Sequence, residues 1–290
     1  MTSLLKGMSS LVELSVNSWI KDYSYGNDVT DPQGTIILPQ LQSLEFTCDT
    51  LVECARFMHC LCLPQTTCLH LRCMSDPLGE AILPLSYLPQ QSLNGLSPLP
   101  LKVLNILYLG TRVEIHGSLS AADVDCDAPG AFKLDVRILS TYHDISEVGI
   151  THILGPLRLL SVTSLALDSG SASIDWSQTL AMLQSVEEIN VLGCKWNLFV
   201  RSLSAAMPDQ AEHAMGQGVQ MPCPCLRRLE FTRYCDPHCC ETLDPLFLES
   251  LGIVLDMRRT GGVPVEVVIQ GEHVSPKELR SLKTMKQRKV

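Results

Sequence analysis

Leu41-Gln42-Ser43-Leu44-Glu45-Phe46 sets an apolar residue, two spacers, a second apolar residue, one spacer and a third. The same frame returns at Leu11/Leu14/Val16, Thr66/Leu69/Leu71, Leu101/Leu104/Ile106, Ala131/Leu134/Val136, Val162/Leu165/Leu167, Val186/Ile189/Val191 and Leu226/Leu229/Phe231. Its last three positions alternate apolar and polar, the period-2 pattern of a strand buried on one face.

A recurring L-x-x-L-x-L phrase is the strand signature of a leucine-rich repeat. The expected fold is therefore an α/β, right-handed leucine-rich-repeat solenoid, a horseshoe or arc with parallel strands on the concave face and helices on the convex face. Successive phrases start 30, 25, 35, 30, 31, 24 and 40 residues apart. Ordinary repeats run about 20–29 residues, so these are long and irregular, with room for a helix between strands. The ninth repeat position, ordinarily Asn or Cys, is filled that way at Cys194 alone. Elsewhere it holds Trp19, Asp49, Met74, Leu109, Leu139, Gly170 and Tyr234. The expected organisation is a solenoid of eight to nine repeats over residues 1–274, followed by a basic capping helix or tail over 275–290.

Helices are expected where apolar residues recur at helical spacing. Thr50 to Leu61 carries Leu51, Cys54, Ala55, Met58 and Leu61 on one stripe, after Asp49 as N-cap and before Pro64. Ser146 to Leu154, Asp175 to Gln184 and Asn197 to Ala206 are further candidates. The strongest spans Leu243 to Arg259, closed by Gly261-Gly262, with a strand over Val265 to Ile269 after it. Ser275-Pro276 then opens the basic terminal helix. Lys21 to Gly34, the proline-rich Met74 to Pro100 and Met207 to Pro222 read as loops.

The chain has 290 residues, 46% hydrophobic and 18% charged, with a formal net charge of −9. That charge argues against nucleic acid as a partner. Residues 275–290 carry six basic side chains and one acidic one, +5, which leaves −14 for the first 274. No apolar run reaches the length of a membrane span, and the first twenty residues lack the pattern of a secretory signal. Thirteen cysteines, an odd number with no export signal, read as reduced thiols in an intracellular protein, cytoplasmic or nuclear.

Strand side chains alternate sides, so the spacers within the phrases form the candidate binding face. They are Glu45, Thr47, His70, Arg72, Asn105, Lys133, Asp135, Arg137, Asp168, Glu188, Asn190, Arg228, Glu230 and Thr232, beside smaller residues such as Ser15 and Ser43. The densest thiol cluster, Cys223, Cys225, Cys235, His238, Cys239 and Cys240, straddles an expected strand. Its two halves are thus too far apart for one tetrahedral ion, and packing thiols are the expectation. The same holds for Cys60, Cys62, Cys68 and Cys73. His59, His143 and His152 fall in or beside helix stripes and read as packed or capping side chains. No nucleophile elbow, phosphate loop or H-E-x-x-H is present, so neither an enzyme nor a cofactor is expected.

Longer phrases carry a family resemblance: Leu38-Pro-Gln-Leu-Gln-Ser-Leu-Glu-Phe, Leu51-Val-Glu-Cys-Ala-Arg-Phe-Met-His-Cys-Leu-Cys-Leu-Pro, Thr67-Cys-Leu-His-Leu-Arg-Cys, Leu157-Arg-Leu-Leu-Ser-Val-Thr-Ser-Leu-Ala-Leu and Pro224-Cys-Leu-Arg-Arg-Leu-Glu-Phe. From about residue 8 the chain resembles the leucine-rich-repeat region of the F-box protein families of mushroom-forming fungi. The resemblance implies a substrate-recognition region for a ubiquitin ligase, binding a protein ligand. A cullin-type ligase adaptor is a partner only through an F-box upstream, because the first strand is expected within about ten residues of Met1. A truncated receptor is thus the leading expectation. The alternatives are a cysteine-rich metal- or redox-responsive structural protein, or a degenerate fragment without independent function.

Overall fold

Parallel strands cannot satisfy their backbones alone, so a repeated strand phrase finds its partner in its own next copy. The computed structural model describes residues 2–17, 36–50, 53–54, 57–58, 60–64, 67–75, 101–119, 133–140, 154, 159–168, 176–193, 196–205, 222–232 and 245–270. Its strands are β1 (Glu13–Asn17), β2 (Ile36–Ile37), β3 (Ser43–Cys48), β4 (Leu61–Cys62), β5 (Cys68–Ser75), β6 (Val103–Tyr108), β7 (Arg112–Ser118), β8 (Lys133–Ser140), β9 (Ser164–Asp168), β10 (Glu188–Leu192), β11 (Arg228–Thr232) and β12 (Glu266–Gln270). Each of the eight phrases falls on one of them. The fold is mixed α/β with mostly parallel strands, in two compact units: residues 1–106 with 110–162, and 107–109 with 163–290.

In the first unit the sheet order is β1-β3-β5-β8-β7-β6, where β6 contributes Val103–Ile106. The strands β1, β3, β5 and β8 are parallel and pair phrase position to phrase position. Leu14 partners Leu44, Leu44 partners Leu69, and Leu69 partners Leu134. The row of Phe46, Leu71 and Val136 lies two residues on. Leu44, Phe46, Leu69, Leu71, Leu134 and Val136 are all at most 1% exposed. Burying each such side chain is worth about 1.5–3 kcal/mol. Phe46 also stacks on Phe57, ring centroids 4.2 Å apart. The short strands β2 and β4 pair separately and in parallel.

One expectation is corrected here. Strands were to follow one another in parallel and in chain order, yet β8 rather than β6 lies beside β5, and β7 runs antiparallel to β8. The interval after Leu101 holds a strand reversal. Gly110, at φ 75°, takes the left-handed conformation that a tight reversal favours in glycine. The Lys102 N–H then donates to the Ser118 carbonyl at 2.9 Å. Val113 and Ile115 alternate along β7 and are fully buried. Gly117 is held to glycine by packing, since a Cβ there would stand 2.8 Å from Leu101 Cδ2.

The second unit keeps chain order. Strands β9, β10, β11 and β12 are parallel in one register, with Leu165, Ile189, Leu229 and Val267 in a row. A backbone ladder leads into the strands: Glu187 N–H to Thr163 O, Arg227 N–H to Glu187 O and Glu266 N–H to Arg227 O, each 2.7–2.8 Å. Helices Ser177–Met182, Trp196–Ala205 and Pro245–Thr260 fill the three connections. Trp196, Phe231 and Phe247 pack with centroids 5.1–5.7 Å apart.

Helix bounds shift little from expectation. The last helix ends as the sequence indicates: Val263 N–H bonds Arg258 O and Gly262 N–H bonds Arg259 O, with Gly262 at φ 77°. This is a Schellman closure. The Thr50 to Leu61 helix is helical at 53–54 and 57–58 but gives way to strand β4 at Leu61. The loop Lys21 to Gly34, most of Met74 to Pro100 and of Met207 to Pro222, the Ser146 helix short of buried Leu154, and the helix from Ser275 lie outside the described residues. Among the described residues no helix is long and apolar enough to cross a membrane.

Arg258 stands in the last turn of the Pro245–Thr260 helix and is fully buried. Its guanidinium donates to the carbonyls of Pro222 at 2.7 Å and Cys223 at 2.6 Å. Cys223 has φ 45°, a strained backbone for a residue with a Cβ. The arginine thus ties the helix to the turn that launches β11. Arg258→Ala takes the guanidinium from the buried Pro222 carbonyl and leaves the Cys223 carbonyl with the Leu226 N–H at 3.0 Å, and is expected to lower the urea unfolding free energy by about 2 kcal/mol. A loss below about 0.5 kcal/mol, the range of a neutral surface change, would contradict this anchor.

Candidate functional site

Because strand side chains alternate, the spacers of the buried phrases emerge on the opposite face. Burial along β3 runs half-exposed, buried, half-exposed, buried, and β9 and β11 repeat the pattern. Glu45, Thr47, His70, Asp135, Arg137 and Lys133 are half-exposed, while Arg72 is exposed. Parallel register aligns them: Glu45 partners His70, His70 partners Asp135, and Arg72 partners Arg137.

Asp135 is the hub of this face in the first unit. Arg137 donates through Nε and Nη2 to its two carboxylate oxygens, both at 3.2 Å. His70 Nδ1 lies 3.5 Å from Oδ2, and His116 Nδ1 lies 3.5 Å from Oδ1. Burial pushes the Asp135 carboxyl up, but the His70 and Arg137 hydrogen bonds and the His116 charge outweigh it. Together they hold it down at about 2. His116 Nε2 reaches Glu114 at 3.4 Å, and Arg112 also pairs with buried Glu114. At the outer side Arg72 stands 3.9 Å from Glu45, whose carboxylate accepts from Ser15 Oγ at 3.3 Å.

Arg112, Glu114 and His116 were not among the expected face residues. They lie on β7, whose strand character the phrase search missed because β7 lacks the frame. Their signal was the alternation Arg112-Val113-Glu114-Ile115-His116, which puts three polar groups on one side. Antiparallel register then sets Glu114 against Arg137 and His116 against Asp135.

The second unit carries its own group. Arg228 pairs with Glu230 at 3.0 Å and with Glu266 at 3.8 Å. Gln270 donates to Glu230 at 2.7 Å, and Thr232 Oγ1 donates to Asn190 Oδ1 at 3.1 Å. Glu188 is the register partner of Arg228. Asp168 ends β9, and half-exposed Asn105 sits on β6 in the first unit. The four strands of the second unit hold Asp168, Glu188, Glu230 and Glu266 against Arg228, so this face is acidic.

Of the densest thiol group in the sequence, Cys223 and Cys225 lie among the described residues. Cys223 is buried, its Sγ 3.4 Å from Leu180 O, and burial pushes its thiol up to about 12. Cys225, two residues on, is exposed, and Cys235 to Cys240 lie outside the described residues, as do His59, His143 and His152. Cys73, expected like Cys60, Cys62 and Cys68 as a packing thiol, is buried. It stands beside Cys48 and Cys54.

Chemically, these faces offer charged and hydrogen-bonding groups held on rigid strands, which suits recognition of a polar surface. Compared with known proteins, the chain matches no family model, no curated protein and no solved structure.

The Asp135 hub predicts an acid-sensitive fold. A carboxyl held below its unfolded value contributes stability that is present above about pH 4 and lost as pH falls toward 2. With its side chain 16% exposed, the contribution is roughly 1–2 kcal/mol after allowance for solvent screening. Wild type is expected to lose that amount between pH 5 and about pH 2 in excess of Asp135→Asn, read by urea unfolding. Parallel pH profiles for the two proteins would contradict it.

Proposed function

We propose that the chain is a non-catalytic interaction scaffold, an irregular leucine-rich-repeat solenoid whose polar strand face binds a protein. The reading rests above all on one observation: within each unit phrase pairs with phrase in constant register, so that spacers from separate phrases line up in rows of mostly polar and charged side chains. A surface assembled from several strands recognises an extended partner through many modest polar contacts, with charge complementarity setting the choice. The acidic rows of β9 to β12 favour a partner segment rich in Lys and Arg. The first unit, with cations and anions interleaved, favours one of mixed charge.

On the resemblance to fungal F-box proteins, the bound protein is a ubiquitylation substrate, and ligase recruitment requires an F-box joined upstream. The site residues in this role are the face residues already named, with Arg112, Glu114, His116 and Glu266 added. The interior of a cell is the compartment that fits a chain of reduced thiols.

Photocrosslinkers placed at Asn190 and Glu230, on neighbouring strands of the second unit, are expected to capture the same protein. Glu188→Lys with Glu266→Lys, which reverses the charge of exposed acidic positions on that face, should weaken its capture at least tenfold, about 1.4 kcal/mol. A crosslinker at exposed Leu246 on the last helix should capture none of it. Capture from Leu246 alone would contradict the strand face as the binding surface. A fused upstream F-box should in addition recover a cullin adaptor; failure there would remove the ligase role and leave the scaffold.

A further inference from the structure

Cys48 and Cys73 occupy the same place in successive phrases, two residues beyond Phe46 and Leu71, and are register partners on β3 and β5. Alternation turns both toward the core side, where they are 2% and 3% exposed. A helical turn brings a third thiol to them. The Glu53 N–H donates to Thr50 Oγ1 at 3.1 Å, Glu53 accepts from the Asp49 N–H at 3.2 Å, and the Cys54 N–H bonds Thr50 O at 3.2 Å. That reciprocal cap, close to a capping box, fixes the turn, and Cys54 is fully buried.

The three sulfurs all lie within 4.8 Å of one another, with Cys48 and Cys73 Sγ atoms 3.4 Å apart. Sulfurs bound about 2.3 Å from one ion in a trigonal plane stand about 4 Å apart. The observed triangle therefore closes on an ion with small side-chain shifts. Among the described residues no nitrogen or carboxylate oxygen joins the cluster. A closed zinc site wants four ligands, whereas a small all-thiolate cage selects the softest cations.

We propose that Cys48, Cys54 and Cys73 form a buried three-sulfur site for a single monovalent copper ion. Each sulfur–copper bond displaces a thiol proton to solvent, and copper enters and stays monovalent, so no electron is transferred. The ion would clamp β3 to β5 and to the turn after β3, directly behind Glu45, Thr47 and Arg72. Metal occupancy would thereby stiffen part of the proposed binding face, though the site stands on its own geometry whether or not that face binds a protein.

The test uses the full chain, fully reduced and free of oxygen, titrated with cuprous ion against the chelator bicinchoninate. The expected result is one tightly held copper per chain, with a first coordination shell of three sulfurs by X-ray absorption. Cys48→Ser, Cys54→Ser and Cys73→Ser should each weaken binding at least a hundredfold, while Cys225→Ser leaves it unchanged. Circular dichroism of the metal-free variants reports whether they fold. Wild type gives a check free of that concern: under mild urea, copper should protect Cys48, Cys54 and Cys73 from alkylation and leave Cys225 labelled. Preference for zinc, no copper retained against bicinchoninate, or equal alkylation of the three thiols with and without copper would overturn the proposal.

Discussion

Parallel pairing of identical phrases is the constraint from which the rest of this structure descends. A parallel strand leaves its N–H and C=O groups to its neighbours, and a buried sheet tolerates few unsatisfied groups. When every strand carries apolar residues at the same phrase positions, only one register buries all of them. Slipping by one residue would turn Leu229 and Phe231 outward and Arg228 and Glu230 inward. The register observed, with Leu165, Ile189 and Leu229 in a row, avoids that cost. Everything on the polar face follows, because the same register that aligns the leucines also aligns the spacers between them.

Two features show how the chain accommodates departures from the repeat. The hairpin at Gly110 inserts β7 between β6 and β8, and with it Glu114 and His116 reach Asp135. The most connected point of the face thus arises where the repeat is interrupted, because an extra strand brings extra polar groups without a partner phrase. Arg258 is the second departure. A fully buried guanidinium is costly to desolvate, and burial pulls its pKa down. Its bonds to Pro222 and Cys223 offset that cost by satisfying a turn whose own backbone is strained.

Much of this was legible in the chain. The eight phrases located strands because period-2 burial is a local property, and Gly261-Gly262 marked the helix end because only a residue at ease with positive φ closes a Schellman motif. The face residues from Glu45 to Thr232 followed from the same alternation. Sheet order was not legible: which strand lies beside β5 depends on the long segment between them, and no local pattern says that β8 wins over β6. The thiol triangle was half legible. Cys48 and Cys73 share a phrase position, which a comparison of phrases detects, but Cys54 joins them through a turn whose course the sequence indicates only by Thr50 and Glu53. Nothing local marks Arg258 for burial, since a basic residue suits the exposed C-terminus of a helix, and the turn at Cys223 supplies its partners.

In both units the phrase assigns one side of each strand to the core and the other to the surface. Urea unfolding of neighbouring serine substitutions tests it most directly: Leu44→Ser against Glu45→Ser in the first unit, and Leu229→Ser against Glu230→Ser in the second. The leucine variants should lose about 3 kcal/mol or more, as large-to-small changes in a close-packed core do. The glutamate variants should stay within about 1 kcal/mol of wild type, the scale of an exposed ion pair. Equal losses at both members of a pair, or a larger loss at the glutamates, would contradict the register and with it the face built on it.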